Sequence, residues 1–137
     1  MTPEQRLENL GIHLPDAMAA VANYVPFVIS GSLLFVSGPI CNGPDGLVRG
    51  RLGESMNLAE GQAAARLCGI GLIAQCKAAL GDLSRVKRVV KLGGFVACVP
   101  DFTEQSVVIN GASDLISGVM GEAGHHARFA VGAPSLP

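Results

Sequence analysis

Arg128 follows the run Gly124-His125-His126-Ala127 and opens a short apolar stretch, Phe129-Ala130-Val131. A guanidinium at the mouth of a strand has two readings. It is a planar fork that takes a carboxylate through two parallel hydrogen bonds, or a surface cation in an ion pair. His125 and His126 are adjacent and flanked by glycine. Neighbours in a strand face opposite ways, so only one of them can reach a given site. No third ligand is spaced to join them, so no metal is expected. One histidine is expected to line a cleft beside Arg128 and the other to be solvated. The cysteines stand at Cys41, Cys68, Cys76 and Cys98, with no Cys-x-x-Cys pair. That spacing excludes a zinc knuckle or a thioredoxin-type motif and leaves small buried apolar side chains. Cys41, in the loop after Ser37-Gly38-Pro39, is read either as a thiol near a cleft or as an ordinary buried residue. Asn110 lies inside a helical pattern, where asparagine usually has a hydrogen-bonding reason to be.

These side chains need elements to position them. Pro3–Leu10 has an apolar edge of Leu7 and Leu10, and Gly11 and Pro15 end it, which predicts a short helix. Val25–Ile29 and Leu33–Ser37 are apolar runs around Ser30-Gly31-Ser32 and predict a hairpin. From Cys41 to Asn57 the chain is rich in Gly, Pro, Asn and Asp, the composition of a loop, with a short strand at Leu47–Arg49. Leu58–Leu80 predicts a long helix: Asn57 caps it, Glu60 completes a capping box, and Gly81 ends it. Its apolar stripe is Ala65, Cys68, Leu72, Cys76 and Ala79. Gly69 and Gly71 each cost about 1 kcal/mol inside a helix, so its backbone is expected to lie close to a neighbour, a sheet. Arg85–Val99 reads as a long strand, apolar on both faces, with Gly93-Gly94 marking a bulge or bend. Asp101 is placed to cap a second long helix whose stripe is Val108, Ala112, Leu115 and Val119, and Gly121 ends it. Glu122–His126 reads as a loop. Arg128–Ala133 is the last strand.

The fold class expected is α+β, a two-layer β-β-α-β-α-β arrangement with two long helices on one face of a single sheet. The uncovered apolar face is then buried by association. A chain of 137 residues is one domain, 1–137, with 1–20 as a peripheral N-terminal arm. Hydrophobic residues make up 49% and charged residues 15%, which excludes a disordered chain. Ten Lys+Arg against eleven Asp+Glu give a net charge of −1, without the basic excess of a nucleic-acid binder. So weakly charged a surface predicts an oligomer. The N-terminus lacks a basic-then-apolar signal pattern. The most apolar stretch, Val25–Val36, is interrupted by Ser30-Gly31-Ser32, so no membrane span and a cytoplasmic location are expected.

That element order, with Tyr24 before the first strand, Ser37-Gly38 closing the second, Leu80-Gly81-Asp82-Leu83, Asn110, Ala127-Arg128 and Leu136-Pro137, resembles the RidA family, also called YjgF or L-PSP. The likeness runs from about Ala22 to Pro137. It is nearer a subgroup with a Ser-Gly-Pro-Ile turn, Ile109-Asn110-Gly111-Ala112-Ser113-Asp114-Leu115 and Gly124-His125-His126-Ala127-Arg128. The resemblance implies a chorismate mutase-like fold and a homotrimer with ligand clefts between subunits. It implies no metal or cofactor.

The family activity so implied is hydrolysis of reactive imines and enamines, such as 2-iminobutanoate, to 2-oxo acids and ammonia. Arg128 corresponds to the arginine that clamps the substrate carboxylate. Tyr24, Ser37 and Gly38 correspond to pocket-lining positions, and Asn110 to a polar support. Ala130 stands where the deaminases have cysteine, at a position whose backbone meets the ligand. In the family one further strand follows Leu-Pro and carries a glutamate that positions the attacking water. The sequence stops at Pro137, so that strand and that glutamate are expected to be missing and no catalytic base is assigned. Losing a positioned base costs about 10²–10⁴ in rate. Either the sequence is a shortened version of a longer protein, or this member does something other than deamination. Three functions are therefore carried forward: an imine deaminase; a non-catalytic trimer that binds small carboxylates; and, ranked last, the ribonuclease of the family's older name. The last needs basic residues beside stacking aromatics, and aromatics are only 4% here.

Overall fold

In a computed structural model, which describes residues 1–19 and 22–137, the fold is mixed α+β. Helix α1 (Pro3–Asn9) is followed by strands β1 (Phe27–Ser30) and β2 (Leu33–Val36) and the two-residue strands β3 (Asn42–Gly43) and β4 (Gly46–Leu47). Then come α2 (Leu58–Leu80), β5 (Lys91–Ala97), α3 (Gln105–Met120) and β6 (Ala127–Ala133). The local signals account for most of these bounds. Asn57 Oδ1 accepts from the Glu60 N–H at 2.9 Å, and Glu60 Oε1 accepts from the Asn57 N–H at 3.1 Å. Each bond satisfies an otherwise orphaned helix donor. Gly81 closes α2 at φ 75°, where a side chain would be strained.

The strands form three separate pairs rather than the single sheet expected. β1 and β2 make an antiparallel hairpin, as do β3 and β4, while β5 and β6 run parallel. The hairpin rests against α2, and the β5–β6 pair against α3. The predicted strand Arg85–Val99 is shorter than the sequence suggests. Its partner begins only at Ala127, opposite Lys91, so residues before Lys91 have no ladder to join. Upstream, Asp82 Oδ1 accepts from the Ser84 N–H at 2.9 Å and shapes a tight turn, Leu83–Arg85. Gly93-Gly94 is not a bulge either, because the register runs unbroken from Lys91↔Ala127 to Ala97↔Ala133. The two glycines instead make room on opposite faces. The Phe129 ring covers Gly93, and Ile109 lies where a side chain on Gly94 would go. The strand expected at Leu47–Arg49 is the small β3–β4 hairpin instead. Leu52 pins the end of that loop to β5, with its N–H on Ala97 O and its carbonyl on the Val99 N–H.

The close neighbour of α2 is a helix, not a sheet. Its buried seam is Gly61, Ala65, Gly69 and Ile73, spaced by four. The expected stripe is rotated, with Cys68, Leu72, Cys76 and Ala79 only half-buried. At Gly69 an added Cβ would stand 3.0 Å from Leu115 and 3.4 Å from the backbone of Ala112. The glycines therefore set the helix–helix separation, and the cost in propensity is offset by closer packing. By length and composition α2 could cross a membrane, with a mean hydropathy of 1.3 over its most apolar window. Here its seam packs on α3. The cap expected from Asp101 is absent, and α3 starts after Glu104 with no side-chain cap. Its stripe is as expected: Val108, Ala112, Leu115 and Val119 are buried, joined by Ile109, Ile116 and Met120.

Helix α1 is not a peripheral arm. Leu7 is 5% exposed and belongs to the core. Arg6 Nη1 donates to Val119 O at 3.2 Å, satisfying a carbonyl at the end of α3. Glu4 Oε1 accepts from Lys77 Nζ at 2.9 Å and from the Leu83 N–H at 2.8 Å. Burial raises the Glu4 pKa, but the Lys77 and Leu83 hydrogen bonds outweigh it and leave the group below the ordinary 4.5. On acidification the unfolded chain therefore takes up this proton first. The stabilisation is whole above about pH 4.5 and is lost as pH falls through the lower folded value. With the two side chains 33% and 40% exposed, the pair is screened and contributes about 1 kcal/mol at most. Urea unfolding of Glu4→Gln should show a small loss relative to wild type at pH 7 that shrinks toward pH 3. A loss that grows with acid would contradict this sign.

Candidate functional site

Arg128 is the second residue of β6, on the face turned toward α3. Its Nη1 donates to Asn110 Oδ1 at 2.8 Å and to Ser113 Oγ at 3.1 Å. Asn110 and Ser113 are three apart on α3 and so share one face of that helix. Ser113 Oγ also lies 3.0 Å from His126 Nε2, and His126 Nδ1 lies 2.6 Å from Gly124 O. A carbonyl can only accept, so Nδ1 carries the proton in the neutral ring. Nε2 then accepts from the Ser113 hydroxyl, whose oxygen accepts from Arg128. Donation thus runs outward from Arg128, to Asn110 on one side and through Ser113 and His126 to Gly124 O on the other, and every acceptor on Arg128 is neutral. Among the described residues no carboxylate pairs with Arg128, and its Nη2 and Nε make no protein hydrogen bond. One edge of the guanidinium is anchored, and the other is free to receive a planar anion.

The other candidates are distributed around this centre. His126 is half-buried in the network, while His125 is exposed. Ala130 shares the α3-facing side of β6 with Arg128, opposite Gly94, and packs on the core. Tyr24, Ser37 and Gly38 flank the hairpin, which rests on α2 and is not joined to Arg128 by any hydrogen bond. Tyr24 is 50% exposed. Ser37 is committed to the hairpin: its hydroxyl donates to Val25 O at 2.8 Å and its N–H to Pro26 O at 2.8 Å. Cys41 is half-buried against Cys68. A cavity of about 230 Å³ lies at the far end of the β5–β6 pair, lined by Cys98, Gln105, Gly132 and Pro134 among others, and does not include Arg128. Arg128 is half-buried at the opposite end of that strand pair. No group of three or more His, Cys, Asp or Glu among the described residues is placed to hold a metal.

A family model described as "YjgF/chorismate_mutase-like, putative endoribonuclease" matches residues 4–137. The chain belongs to the YjgF/chorismate mutase-like family. Among curated proteins it is 56% identical over 133 residues to Protein TCP17 of Trypanosoma cruzi, covering 96% of this chain and 83% of that protein. Among solved structures it is similar to a protein of unknown function from Agrobacterium tumefaciens, with 54% identity and a TM-score of 0.90 over 99% of this chain and 85% of that one. It is also similar to a chain titled "putative endoribonuclease" from Shewanella oneidensis, with 40% identity and a TM-score of 0.96 over 100% of this chain and 91% of that one.

Within this YjgF-family chain, the residue that sequence reasoning missed is Ser113. It joins Arg128 to His126 and restricts the guanidinium to one orientation. A signal was present, because Asn110, Ser113 and Ser117 recur at spacings of three and four and mark a polar line beside the helix's apolar stripe. Ser117 Oγ reaches Gly124 O at 3.5 Å, at the same end of the network.

Proposed function

We propose that this YjgF-family protein binds small carboxylate-bearing imines and 2-oxo acids at Arg128, in a cleft completed by a neighbouring subunit, and that it hydrolyses the imines to 2-oxo acids and ammonia. The observation that carries the reading is the half-anchored guanidinium. Its Nη1 is held by two neutral acceptors while its remaining donors are free. A carboxylate there gains charge-assisted, parallel hydrogen bonds without displacing a protein partner. Association with a second copy accounts for two further features. The outer face of β5–β6 leaves Phe95 60% exposed beside Phe129, their rings 5.6 Å apart and edge-to-face. The hairpin likewise exposes Val28, Ile29 and Phe35. Apolar surface of this extent marks an interface, and the family resemblance implies a homotrimer. A nucleic-acid substrate, suggested by the Shewanella oneidensis relative described as a "putative endoribonuclease", has no support in the charge of −1.

A second reading is binding without turnover. It is favoured by the absence, among the described residues, of any carboxylate hydrogen-bonded into the Arg128 network. Two measurements separate these readings. Calorimetric titration should show binding of 2-oxobutanoate and none of 2-butanone, which lacks the carboxylate. A coupled assay with enzymatically generated 2-iminobutanoate should show faster decay of the imine than buffer alone. Binding without acceleration favours the second reading, and equal binding of the ketone overturns both. Sedimentation at micromolar concentration should give a trimer, and a well-behaved monomer would remove the shared cleft.

A further inference from the structure

Cys41 and Cys68 come from different elements, the loop after β2 and the middle of α2, and their sulfurs stand 2.8 Å apart. That is within about 1 Å of the length of a disulfide bond and inside ordinary non-bonded contact. Both residues are half-buried and both are free thiols, whereas Cys76 and Cys98 have no cysteine beside them. We propose that Cys41 and Cys68 form a redox-active dithiol that a hydroperoxide converts to an intramolecular disulfide. The two members of the pair have distinct roles. The hydrogen bond from Cys68 lowers the Cys41 pKa, against an opposing effect of burial. The same hydrogen bond, with burial added, pushes the Cys68 thiol up. Cys41 stands on a loop and Cys68 within a helix, so Cys41 is assigned as the thiolate that reacts and Cys68 as the resolving thiol, in the same sense as those shifts.

The chemistry balances. The Cys41 thiolate attacks the terminal oxygen of the hydroperoxide, giving a sulfenic acid, and the O–O bond breaks to release an alkoxide that takes up a proton as the alcohol. The Cys68 sulfur then attacks the Cys41 sulfur. The S–O bond breaks, and the departing hydroxide leaves as water with the Cys68 proton. Two thiols lose two electrons in total and the peroxide gains them. The new bond would tie the segment after β2 to α2. Ser37 and Gly38 lie only a few residues before Cys41 in that segment, so oxidation would hold their turn against the helix.

The test uses the intact protein and hydrogen peroxide. The four free thiols of the reduced protein should fall to two. The mass should fall by two hydrogens, and peptide mapping should join Cys41 to Cys68 within one chain. In Cys68→Ser the reaction should stop at a sulfenic acid on Cys41 that dimedone traps. In Cys41→Ser, Cys68 should remain a thiol at the same peroxide concentration. Four titratable thiols after treatment, a bond that includes Cys76 or Cys98, or a link between chains would each overturn the proposal. If a serine variant folds poorly, the wild-type peptide map decides alone.

Discussion

Arg128→Ala is expected to weaken 2-oxobutanoate binding tens- to hundreds-fold while leaving the chain folded. The argument rests on which hydrogen bonds each form of the protein can make. The free Nη2 and Nε edge supplies two parallel, charge-assisted donors to a carboxylate, and alanine supplies none. Such a pair contributes about 2–3 kcal/mol, which corresponds to that range of affinity. The folded chain loses little, because Asn110 and Ser113 are only half-buried and can bond to water in place of Nη1. Arg128→Lys sharpens the test. Lysine keeps the charge but has no planar fork, so it should recover only part of the affinity. Circular dichroism checks the fold, and calorimetric titration reads the binding. An alanine variant that binds as tightly as wild type would show that Arg128 is an ordinary surface cation.

Gly111→Ala should destabilise the protein by about 2–4 kcal/mol, a large effect for one methyl group. Gly111 sits in α3 where the backbone of α2 crosses it, and a Cβ there would overlap the carbonyl of Gln62. The obstacle is backbone, so no side-chain rotation can relieve it, and the helices must separate. Separation would also strain the 2.9 Å bond from Gln62 Nε2 to Val107 O. Gly118→Ala in the same helix is the control. Nothing lies within 4 Å of its Cβ position, and replacing an exposed helical glycine should stabilise by about 0.5–1 kcal/mol. Urea unfolding at one fixed protein concentration should therefore shift the midpoint in opposite directions for the two variants. Shifts of the same sign and size would mean that helix propensity, not the crossing, governs both sites.

How much of this could be read from the chain differs by element. The start and end of α2 were legible because Asn57, Glu60 and Gly81 act through hydrogen bonds and dihedrals within one turn. The hairpin and the stripe of α3 were legible for the same local reason. The buried face of α2 was not. Its sequence is apolar nearly all round, and the face that turns inward is chosen by where Leu115 and Ala112 of α3 can approach a glycine. Likewise, the apolar run from Arg85 reads as one strand, but only the seven residues opposite β6 become one. A strand exists where a partner stands, and that partner lies a whole helix away.

The site divides in the same way. Arg128, Asn110 and the two histidines were visible by residue type and by resemblance. That Ser113 links Arg128 to His126, and that His126 rather than His125 turns inward, required α3 and β6 to be side by side. Cys41 and Cys68 are 27 positions apart with no motif between them, and only the packing of a loop on α2 brings them together. The sequence by itself determined the bounds of α2, the end of α3 and the turn of the β1–β2 hairpin, because those depend on interactions among close neighbours in the chain. The tertiary structure decided the pairing of strands, the seam between the helices and the free edge of Arg128. Each of those depends on surfaces brought together from distant segments, and a linear order of residues does not specify which surfaces meet.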